Sequence, residues 1–384
     1  MRFFIVISSL SKLLKYMYYI YTHSSMVEGK RCMQTNESSK EQKVKVSGLT
    51  FAQLKKWVTV DLGMKPYRAQ QLFSWIHLKR VISFHQMTDI SLSARNRLDR
   101  AGEITALESC DTIAADDGTV KYSFALEDSE VIESVLIPDS PRLTACLSTQ
   151  AGCRCGCTFC QTGRGGFRRN LRTDEIVAQL YGLQSSSNDR ITNVVFMGMG
   201  EPMDNFPALS DALSIISDDR GICIGARKIT VSTVGIPGGI EKLTQLDGQY
   251  GLAVSLHSAV ESTRLKLVPV AKTLPLRELK RDMKDYISRK GRRITLEYCL
   301  IAGINDSLEE ASALAEFAGD IECKINLLIY NPVEGAPYRR PDTESVNRFM
   351  HYLYPRCQAV MLRRSRGSDI AAACGQLGPG ARND

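Results

Sequence analysis

The amino-acid sequence predicts an α/β protein whose main domain is a partial barrel of six parallel strands. From Arg142 onward, apolar runs of strand length alternate with segments of helical periodicity. Such alternation is typical of a parallel sheet with right-handed crossover helices. The strand–helix units are too few for a closed barrel of eight, so we expect an open barrel. The predicted strands are residues 143–148, 191–198, 228–233, 252–257, 294–300 and 325–330.

Two smaller regions precede the barrel. Residues 46–103 place apolar side chains at helical spacing, with Pro66 at a favourable helix start, and predict a small helical domain. In residues 104–141 the pair Asp117-Gly118 separates two alternating segments, which indicates a β-hairpin extension. The barrel domain is expected to span residues 142–377, followed by a tail at 378–384. Its predicted helices are residues 174–183, 207–216, 239–246, 276–288 and 308–318, the first with Thr173 as N-cap.

The first 45 residues do not read as a folded domain. The apolar run after Arg2 is interrupted by Lys12 and Lys15 and is shorter than the roughly 20 residues that span a membrane. No convincing small-residue cleavage site follows, as a signal peptide would need. We therefore expect residues 1–45 to be disordered or to result from a mis-assigned start, with Met26 as the real one. The protein is expected to be a cytoplasmic monomer without membrane partners.

Composition and charge set only broad limits. The chain has 384 residues, of which 43% are hydrophobic and 24% charged, as is usual for soluble globular proteins. Its formal net charge of +7 permits a nucleic-acid partner without requiring one. The 12 cysteines are more informative, because Cys146, Cys153, Cys155, Cys157 and Cys160 fall within one short segment. Such a segment indicates metal binding or catalysis rather than the disulfides of a secreted protein.

Three of these cysteines have the spacing of an incomplete iron–sulfur site. Cys153, Cys157 and Cys160 form a C-x3-C-x2-C motif directly after the first barrel strand. A [4Fe-4S] cluster held by three thiolates has one open iron, which can bind a substrate. This motif resembles the radical S-adenosylmethionine (SAM) superfamily, whose open iron binds SAM. The alternative is a zinc site that includes Cys155, but the longer loop that separates ligand pairs in structural zinc sites is missing.

Polar residues follow the other predicted strands at the same end of the barrel. Each alone is typical of an ordinary turn or helix cap, and a lone Gly-x-Gly is a weak signal. Residues 198–202 (Gly-Met-Gly-Glu-Pro) resemble the superfamily element that holds the amino group of SAM. Together the residues at this rim form a predicted SAM pocket. Its members are Gly200, Glu201, Ser232, Ser255, Leu256, His257 and Asn331.

Several longer segments resemble one family within this superfamily. They are residues 66–75, 133–138, 146–153, 166–171, 198–202 and 367–377. From about residue 49 to 377 the chain is similar to the RlmN/Cfr family of radical SAM rRNA and tRNA adenosine methyltransferases, and it is nearer to the RlmN branch. This resemblance implies methylation of C2 of an adenosine in 23S rRNA and of adenosine 37 in tRNA. The alternatives are C8 methylation of 23S rRNA, as in the Cfr branch, or a zinc-stabilised RNA-binding protein without activity.

The same resemblance implies a role for three residues outside the cluster motif. Cys374 would take a methyl group from one SAM, and a second SAM would be cleaved to a radical that activates this methyl group for addition to the base. Two SAM molecules would thus be used per turnover, with electrons from a donor such as flavodoxin or ferredoxin. Glu133 would remove the ring proton, and Cys146 would resolve the protein–RNA adduct by forming a disulfide with Cys374. Without the resemblance, the two cysteines would be read as packed core residues and Glu133 as a solvated hairpin carboxylate.

Basic residues indicate where RNA would bind. Four arginines flank the cluster loop and are predicted to contact phosphates, namely Arg164, Arg168, Arg169 and Arg172. The basic residues of 277–293 are interpreted as a solvated helix face. The helical domain at residues 46–103 is a second predicted RNA-binding element.

Overall fold

A computed structural model describes residues 43–378 of the chain. The expectations for the N-terminal extension, including the start at Met26, lie outside the described residues, as does the tail after residue 378. No helix among the residues described is both long and apolar enough to pass through a lipid bilayer.

The N-terminal region is a small helical unit closed by a two-stranded sheet. It contains β1 (Val44–Lys45), α1 (Phe51–Lys56), α2 (Tyr67–His77), α3 (Leu92–Ala101) and β2 (Gly102–Glu103). Strands β1 and β2 pair in parallel, which brings the two ends of the unit together. Thr50 caps α1 because its hydroxyl accepts a hydrogen bond from Gln53 N–H and its own N–H donates to the Gln53 side chain. The predicted helix start at Pro66 is confirmed, since α2 begins at the next residue.

The main sheet has ten strands and combines two kinds of pairing. Its antiparallel part consists of β3 (Ser109–Ala114), β4 (Val120–Ala125), β5 (Val131–Asp139) and β6 (Arg142–Cys146). The predicted hairpin around Asp117-Gly118 is confirmed, because β3 pairs antiparallel with β4 across this turn. The pairing of β5 with both β4 and β6 makes the hairpin a continuation of the barrel sheet.

The parallel part of the sheet forms the barrel. Six of its strands correspond to the predicted ones, and they are β6, β9 (Asn193–Phe196), β10 (Ile229–Thr233), β11 (Gly251–Ser255), β12 (Ile294–Leu300) and β13 (Cys323–Ile329). A seventh parallel strand, β14 (Val360–Arg363), pairs with β13 and was not predicted. It is a short edge strand of four residues, and its side chains are only half-buried or exposed. Between β6 and β9, β7 (Gln150–Gly152) and β8 (Phe167–Asn170) form a separate small antiparallel pair.

Helices connect the barrel strands. The predicted helices are confirmed as α5 (Thr173–Ser185), α6 (Phe206–Ser217), α7 (Gly239–Gln245), α9 (Leu276–Lys290) and α10 (Leu308–Ala318). Three helices were not predicted, namely α4 (Gln161–Arg164), α8 (Glu261–Leu267) and α11 (Thr343–Leu353). The assignment of Thr173 as N-cap of α5 is wrong, because Arg172 occupies that position. The Arg172 N–H donates to the Glu175 carboxylate at 2.8 Å, so a side chain within the first turn satisfies the helix entrance.

The two faces of the parallel strands differ in polarity. The face toward the helices is part of one continuous apolar core that includes Val194, Val231, Val254, Leu296 and Leu327. Alternate side chains point into the barrel, as strand geometry requires. Near the amino ends of the strands this interior is polar and open, with Thr144, Thr230, Thr295 and Asn326 among the side chains around a groove of about 1330 Å³. At the carboxyl ends the interior becomes the cavity described next.

Candidate active site

A cavity of about 940 Å³, including its part open to solvent, lies at the carboxyl ends of the parallel strands. Volumes of this order accommodate a small-molecule ligand. The cavity gathers most of the predicted site residues, although they come from distant parts of the sequence. These are Cys153, Cys157, Cys160, Gly200, Glu201, Ser232, Ser255, His257, Asn331 and Cys374. Three predicted residues, Leu256, Cys146 and Glu133, do not line it.

The loop that carries Cys153, Cys157 and Cys160, called the cysteine loop below, is held in place by backbone contacts. Cys153 N–H donates to the carbonyl of Gly166 at 2.9 Å, and Cys160 N–H donates to the carbonyl of Cys157 at 3.2 Å. A side chain at Gly152 is impossible without rearrangement, because its Cβ would lie 2.0 Å from the Gly166 carbonyl oxygen. Only glycine therefore allows the loop to approach β8 so closely. This contact orients Cys153 toward the same cavity as Cys157 and Cys160.

The surroundings of the three thiols favour a positively charged metal centre. Burial raises the pKa of the Cys157 and Cys160 thiols, whereas a hydrogen bond from Cys155 lowers the pKa of Cys153. Thiolates buried in this way need positive charge nearby, which iron supplies. In residues 43–378, no three His, Cys, Asp or Glu side chains are grouped around a position for a single metal ion. The donor set of three thiols on one loop fits a [4Fe-4S] cluster with one open iron.

Glu201 faces the cavity from the end of β9. Its carboxylate accepts hydrogen bonds from the backbone N–H groups of Met203 at 3.1 Å and Val234 at 2.9 Å. Burial nevertheless raises the pKa of Glu201 to about 7, since these bonds offset only part of the desolvation. Gly200 before it has φ +99°, and a Cβ there would lie 2.6 Å from Cβ of Gln150. The glycine thus lets the β9 loop pack on the cysteine loop.

Polar groups from the next strands complete the rim. The hydroxyls of Ser232 on β10 and Ser255 on β11 are 3.3 Å apart. His257 accepts a hydrogen bond at Nδ1 from Cys299 N–H, and burial lowers the pKa of the imidazole to about 3, so it is neutral. Asn331 donates to the carbonyl of Cys374 at 3.4 Å, while its buried Oδ1 lacks a hydrogen-bond partner among the described residues. Such an orphaned acceptor fits a cavity that receives a hydrogen-bond-donating ligand such as SAM.

The side chain of Leu256 does not line the cavity, and the contact of this residue with SAM stays a prediction. Leu256 is fully buried in the core, and only its backbone takes part in the rim. Its N–H donates to the Glu297 carbonyl at 2.9 Å, and its own carbonyl accepts a hydrogen bond from Arg264. Leu256 therefore connects β11 with β12 and with α8.

Arg264 on α8 is the largest fully buried side chain, and sequence reasoning missed it. Its guanidinium donates to the carbonyls of Ser255 at 3.2 Å, Leu256 and Val234, where β10 and β11 end. Burial lowers the pKa of Arg264 to about 10, so the group still carries its charge at neutral pH. A positive charge on Arg264 also favours a thiolate at Cys157.

The two catalytic cysteines predicted from the resemblance are neighbours. Burial, together with negative charge on Cys374, raises the pKa of Cys146 to about 12. Desolvation also raises the pKa of Cys374, although this residue is exposed toward the cavity, while the Arg363 guanidinium opposes this rise. Both thiols are free in the structure. Cys146 ends β6, and Cys374 lies in the C-terminal segment that covers the cavity.

Glu133 lies beside this C-terminal segment. It is buried on β5, where one carboxylate oxygen is 3.1 Å from the ammonium of Lys121. Its other oxygen accepts a hydrogen bond from Gly378 N–H at 2.7 Å. The carboxylate thus contacts the segment that carries Cys374, although it does not line the cavity itself.

Two cavity residues were missed because they lie within an apolar strand. Glu297 and Cys299 occupy alternate positions of β12 and both face the cavity. Burial raises the pKa of Glu297, and its carboxylate accepts a hydrogen bond from Asn326 at 2.9 Å. A glutamate at an inward position of an otherwise apolar strand was the signal available in the sequence.

The arginines flanking the cysteine loop are of two kinds. Arg164 and Arg168 are exposed, and Arg164 donates to the Gly335 carbonyl at 2.7 Å. Arg169 and Arg172 are instead ion-paired with Glu175 at 2.8 and 3.3 Å. Since those two guanidiniums are committed to carboxylates, the expectation of phosphate contacts now rests on Arg164 and Arg168.

Two family models match the chain. The model "Ribosomal RNA large subunit methyltransferase N-terminal domain" matches residues 44–104, which is the helical unit. The model "Radical SAM superfamily" matches residues 147–316, which include the cysteine loop and the rim up to His257.

Curated relatives and a solved structure match most of the chain. A probable dual-specificity RNA methyltransferase RlmN of Thermosynechococcus vestitus is 44% identical over 330 residues, which are 86% of this chain and 97% of that protein. The dual-specificity RNA methyltransferase RlmN of Nitratidesulfovibrio vulgaris is 39% identical over 345 residues, covering 87% and 94%. A crystal structure of a radical SAM methyltransferase from Sphaerobacter thermophilus is 39% identical with a TM-score of 0.83, covering 87% of this chain and 99% of that one.

Proposed function

The chain belongs to the RlmN family of radical SAM RNA methyltransferases, and from this premise we propose that it methylates C2 of an adenosine in 23S rRNA and of adenosine 37 in tRNA. It is an enzyme that uses SAM and a [4Fe-4S] cluster, as the superfamily does. Use of two SAM molecules per turnover, a reduced flavodoxin or ferredoxin as electron donor, a monomeric state and a cytoplasmic location are parts of the proposal.

The observation that carries the proposal is the convergence of two kinds of cysteine on one cavity. Cys153, Cys157 and Cys160 line it from the loop after β6, and Cys374 lines it from the C-terminal segment. A cluster that only cleaves SAM does not need a nucleophilic thiol such as that of Cys374 facing the same space. Methyl transfer to a carbon as unreactive as adenine C2 does need an intermediate carrier, and Cys374 is placed to serve as one.

Each group of predicted site residues would have its own role in the reaction. Cys153, Cys157 and Cys160 would hold the cluster, and Glu201, Ser232, Ser255 and Asn331 would hold SAM. When bound, the cluster and SAM supply the one-electron chemistry that activates a methyl group on Cys374. Arg363 favours the Cys374 thiolate that accepts this methyl group. Glu133 would take the ring proton, and Cys146 would bond to the sulfur of Cys374 and so release the RNA.

RNA recognition requires the adenine to leave its stack and enter the cavity. Arg164 and Arg168 lie on the exposed side of the cysteine loop and would contact flanking phosphates. The helical unit at residues 44–104 would add a second contact, consistent with its match to an rRNA methyltransferase domain. Preference for C2 over C8 follows the RlmN name of the relatives.

The test is product analysis on anaerobically reconstituted protein with SAM, a reductant and either a 23S rRNA fragment or tRNA. We expect about four irons and four sulfides per chain and 2-methyladenosine in both RNAs after digestion to nucleosides. The variant Cys374→Ala should keep its iron but form no methyladenosine, and Cys146→Ala should accumulate a covalent protein–RNA complex on denaturing gels.

Other outcomes would redirect the assignment. The C8 product, 8-methyladenosine, would move the protein to the Cfr-type activity. Methylation of rRNA alone would remove the tRNA part of the proposal. Stoichiometric zinc without an iron chromophore would support a non-catalytic RNA-binding protein instead.

A further inference from the structure

Lys121 contacts both the predicted general base and the segment that carries Cys374. It lies on β4 and is buried, with only 11% of its side chain exposed. Its ammonium is 3.1 Å from Oε1 of Glu133 and donates to the carbonyl of Ala371 at 3.4 Å. No sequence motif pointed to this lysine. A lysine ammonium carries three donors on a compact charge, so one group can bind both acceptors at once.

The C-terminal segment, residues 365–378, is attached to the antiparallel part of the sheet on both sides of Cys374. Before the cysteine, Gly367 N–H donates to the Asp117 carboxylate at 3.1 Å. After it, Gly378 N–H donates to Oε2 of Glu133 at 2.7 Å. On the opposite side, the carbonyl of Gly375 accepts a hydrogen bond from Gln161 N–H at 2.7 Å. The segment is therefore held between the antiparallel strands β3–β5 and the cysteine loop.

The strength of the ion pair between Lys121 and Glu133 depends on its burial. Glu133 and Lys121 have exposed side-chain fractions of only 9% and 11%, so water screens their interaction little. Removing one partner would leave the other as a buried charge without compensation, which proteins tolerate poorly. Surface ion pairs of the same chain, such as Lys280 with Asp320 at 2.5 Å, lack this property because Asp320 is 56% exposed.

We propose that Lys121 is a positioning residue that fixes the carboxylate of Glu133 relative to Cys374 during proton removal from the RNA base. The inference rests on the proposed function. In this step the C2–H bond breaks, the proton goes to a Glu133 oxygen and the bonding electron pair stays with the ring. Each carboxylate oxygen retains a further lone pair beside its present hydrogen bond, so Glu133 can accept the proton without releasing Lys121. Lys121 itself neither donates nor accepts the proton.

The experiment compares reconstituted wild-type enzyme with Lys121→Met, Lys121→Gln and Lys121→Arg on a 23S rRNA fragment deuterated at adenosine C2. Lys121→Gln can still donate to the Ala371 carbonyl but carries no charge, whereas Lys121→Arg keeps the charge. For the Met and Gln variants we expect turnover to fall at least about tenfold, a part of the roughly 10²–10⁴-fold that a well-placed general base contributes. The isotope effect should rise, because proton removal becomes slower. Lys121→Arg should recover much of the rate and the wild-type isotope effect.

Iron content, thermal unfolding and methylation of Cys374 by intact mass are measured for every variant. They separate a positioning role from a folding role, because only the former changes the isotope effect in protein that retains its cluster. Lys280→Met is the matched control and should behave as wild type. If Lys121→Met does not fold, Lys121→Gln and Lys121→Arg decide by the same measurements.

The outcomes distinguish a failure of this inference from a failure of the proposed function. If wild-type enzyme forms no 2-methyladenosine, the proposed function fails and the inference with it. If wild-type enzyme is active and the uncharged variants keep its rate, only the inference is overturned. A lower rate with an unchanged isotope effect also overturns it, since Lys121 would then act on another step.

Discussion

Replacing Arg264 by methionine should destabilise the fold by an amount that the structure allows us to bound. The side chain is fully buried and donates to three carbonyls where β10 and β11 end. Methionine keeps much of the apolar stem but has no donor, so the carbonyls of Val234, Ser255 and Leu256 would lose their charged partner. Hydrogen bonds to charged groups contribute about 1.5–3 kcal/mol each. Their loss is partly offset because the guanidinium no longer has to be desolvated.

The expected net loss is about 3–5 kcal/mol in the free energy of unfolding, because three buried carbonyls at about 1–3 kcal/mol each lose their partner while the desolvation cost of the guanidinium is recovered. Urea denaturation of the cluster-free protein measures it without a contribution from iron binding. Arg281→Met is the control, because that arginine is 67% exposed and contacts only Asp282. It should change stability by less than about 0.5 kcal/mol. A loss below about 1 kcal/mol for Arg264→Met would refute the reasoning, since it would mean that the carbonyls find other partners.

Two further predictions concern the end of β9. Gly200→Ala should lower the free energy of unfolding by a few kcal/mol and lower the iron retained after reconstitution. The reason is that the residue has φ +99° and the new Cβ would lie 2.6 Å from Cβ of Gln150. Full iron content with unchanged stability would contradict this. For Glu201, burial raises the pKa from its ordinary value of 4.5 to about 7, so between these pH values the folded protein holds a proton that the unfolded chain releases. Stability should therefore fall as the pH rises from 4.5 to about 7, by up to about 3 kcal/mol, and urea denaturation should show this fall for wild type but not for Glu201→Gln. Equal pH profiles for the two proteins would disprove the assignment.

The sequence predicted the parallel strands well because each places apolar residues at most of its helix-facing positions. In β10 these apolar residues alternate with small polar ones, whereas β11 is apolar up to Ser255. Strand β14 was missed although three of its four residues are apolar, because the run is short and its Met361 and Leu362 are exposed at the edge of the sheet. Helix α8 was missed for a different reason. It has only seven residues, and its most important side chain is a buried arginine that sequence patterns assign to the surface.

Site residues could be predicted where they belong to one local motif. They could not be predicted where only the tertiary fold brings them together. The spacing of Cys153, Cys157 and Cys160 requires one loop, so their common cavity followed from local sequence. The position of Glu133 next to Lys121 depends on the register of β4 with β5, which pairs Ser123 with Glu133 and Lys121 with Val135. No local pattern specifies that register. Sequence reasoning could therefore name Glu133 from resemblance but could not find Lys121.

The attachment of the C-terminal segment has a consequence for how the enzyme matures. Its contacts with the hairpin join residues about 250 positions apart, as between Asp117 and Gly367 or Lys121 and Ala371. Closing so long a loop costs entropy, and contacts of this kind form late in folding. During synthesis the barrel strands up to β13 are available before Cys374 has been made. The ribosome thus releases a chain whose barrel strands up to β13 can already be folded, while the segment that carries Cys374 is the last part to take its place.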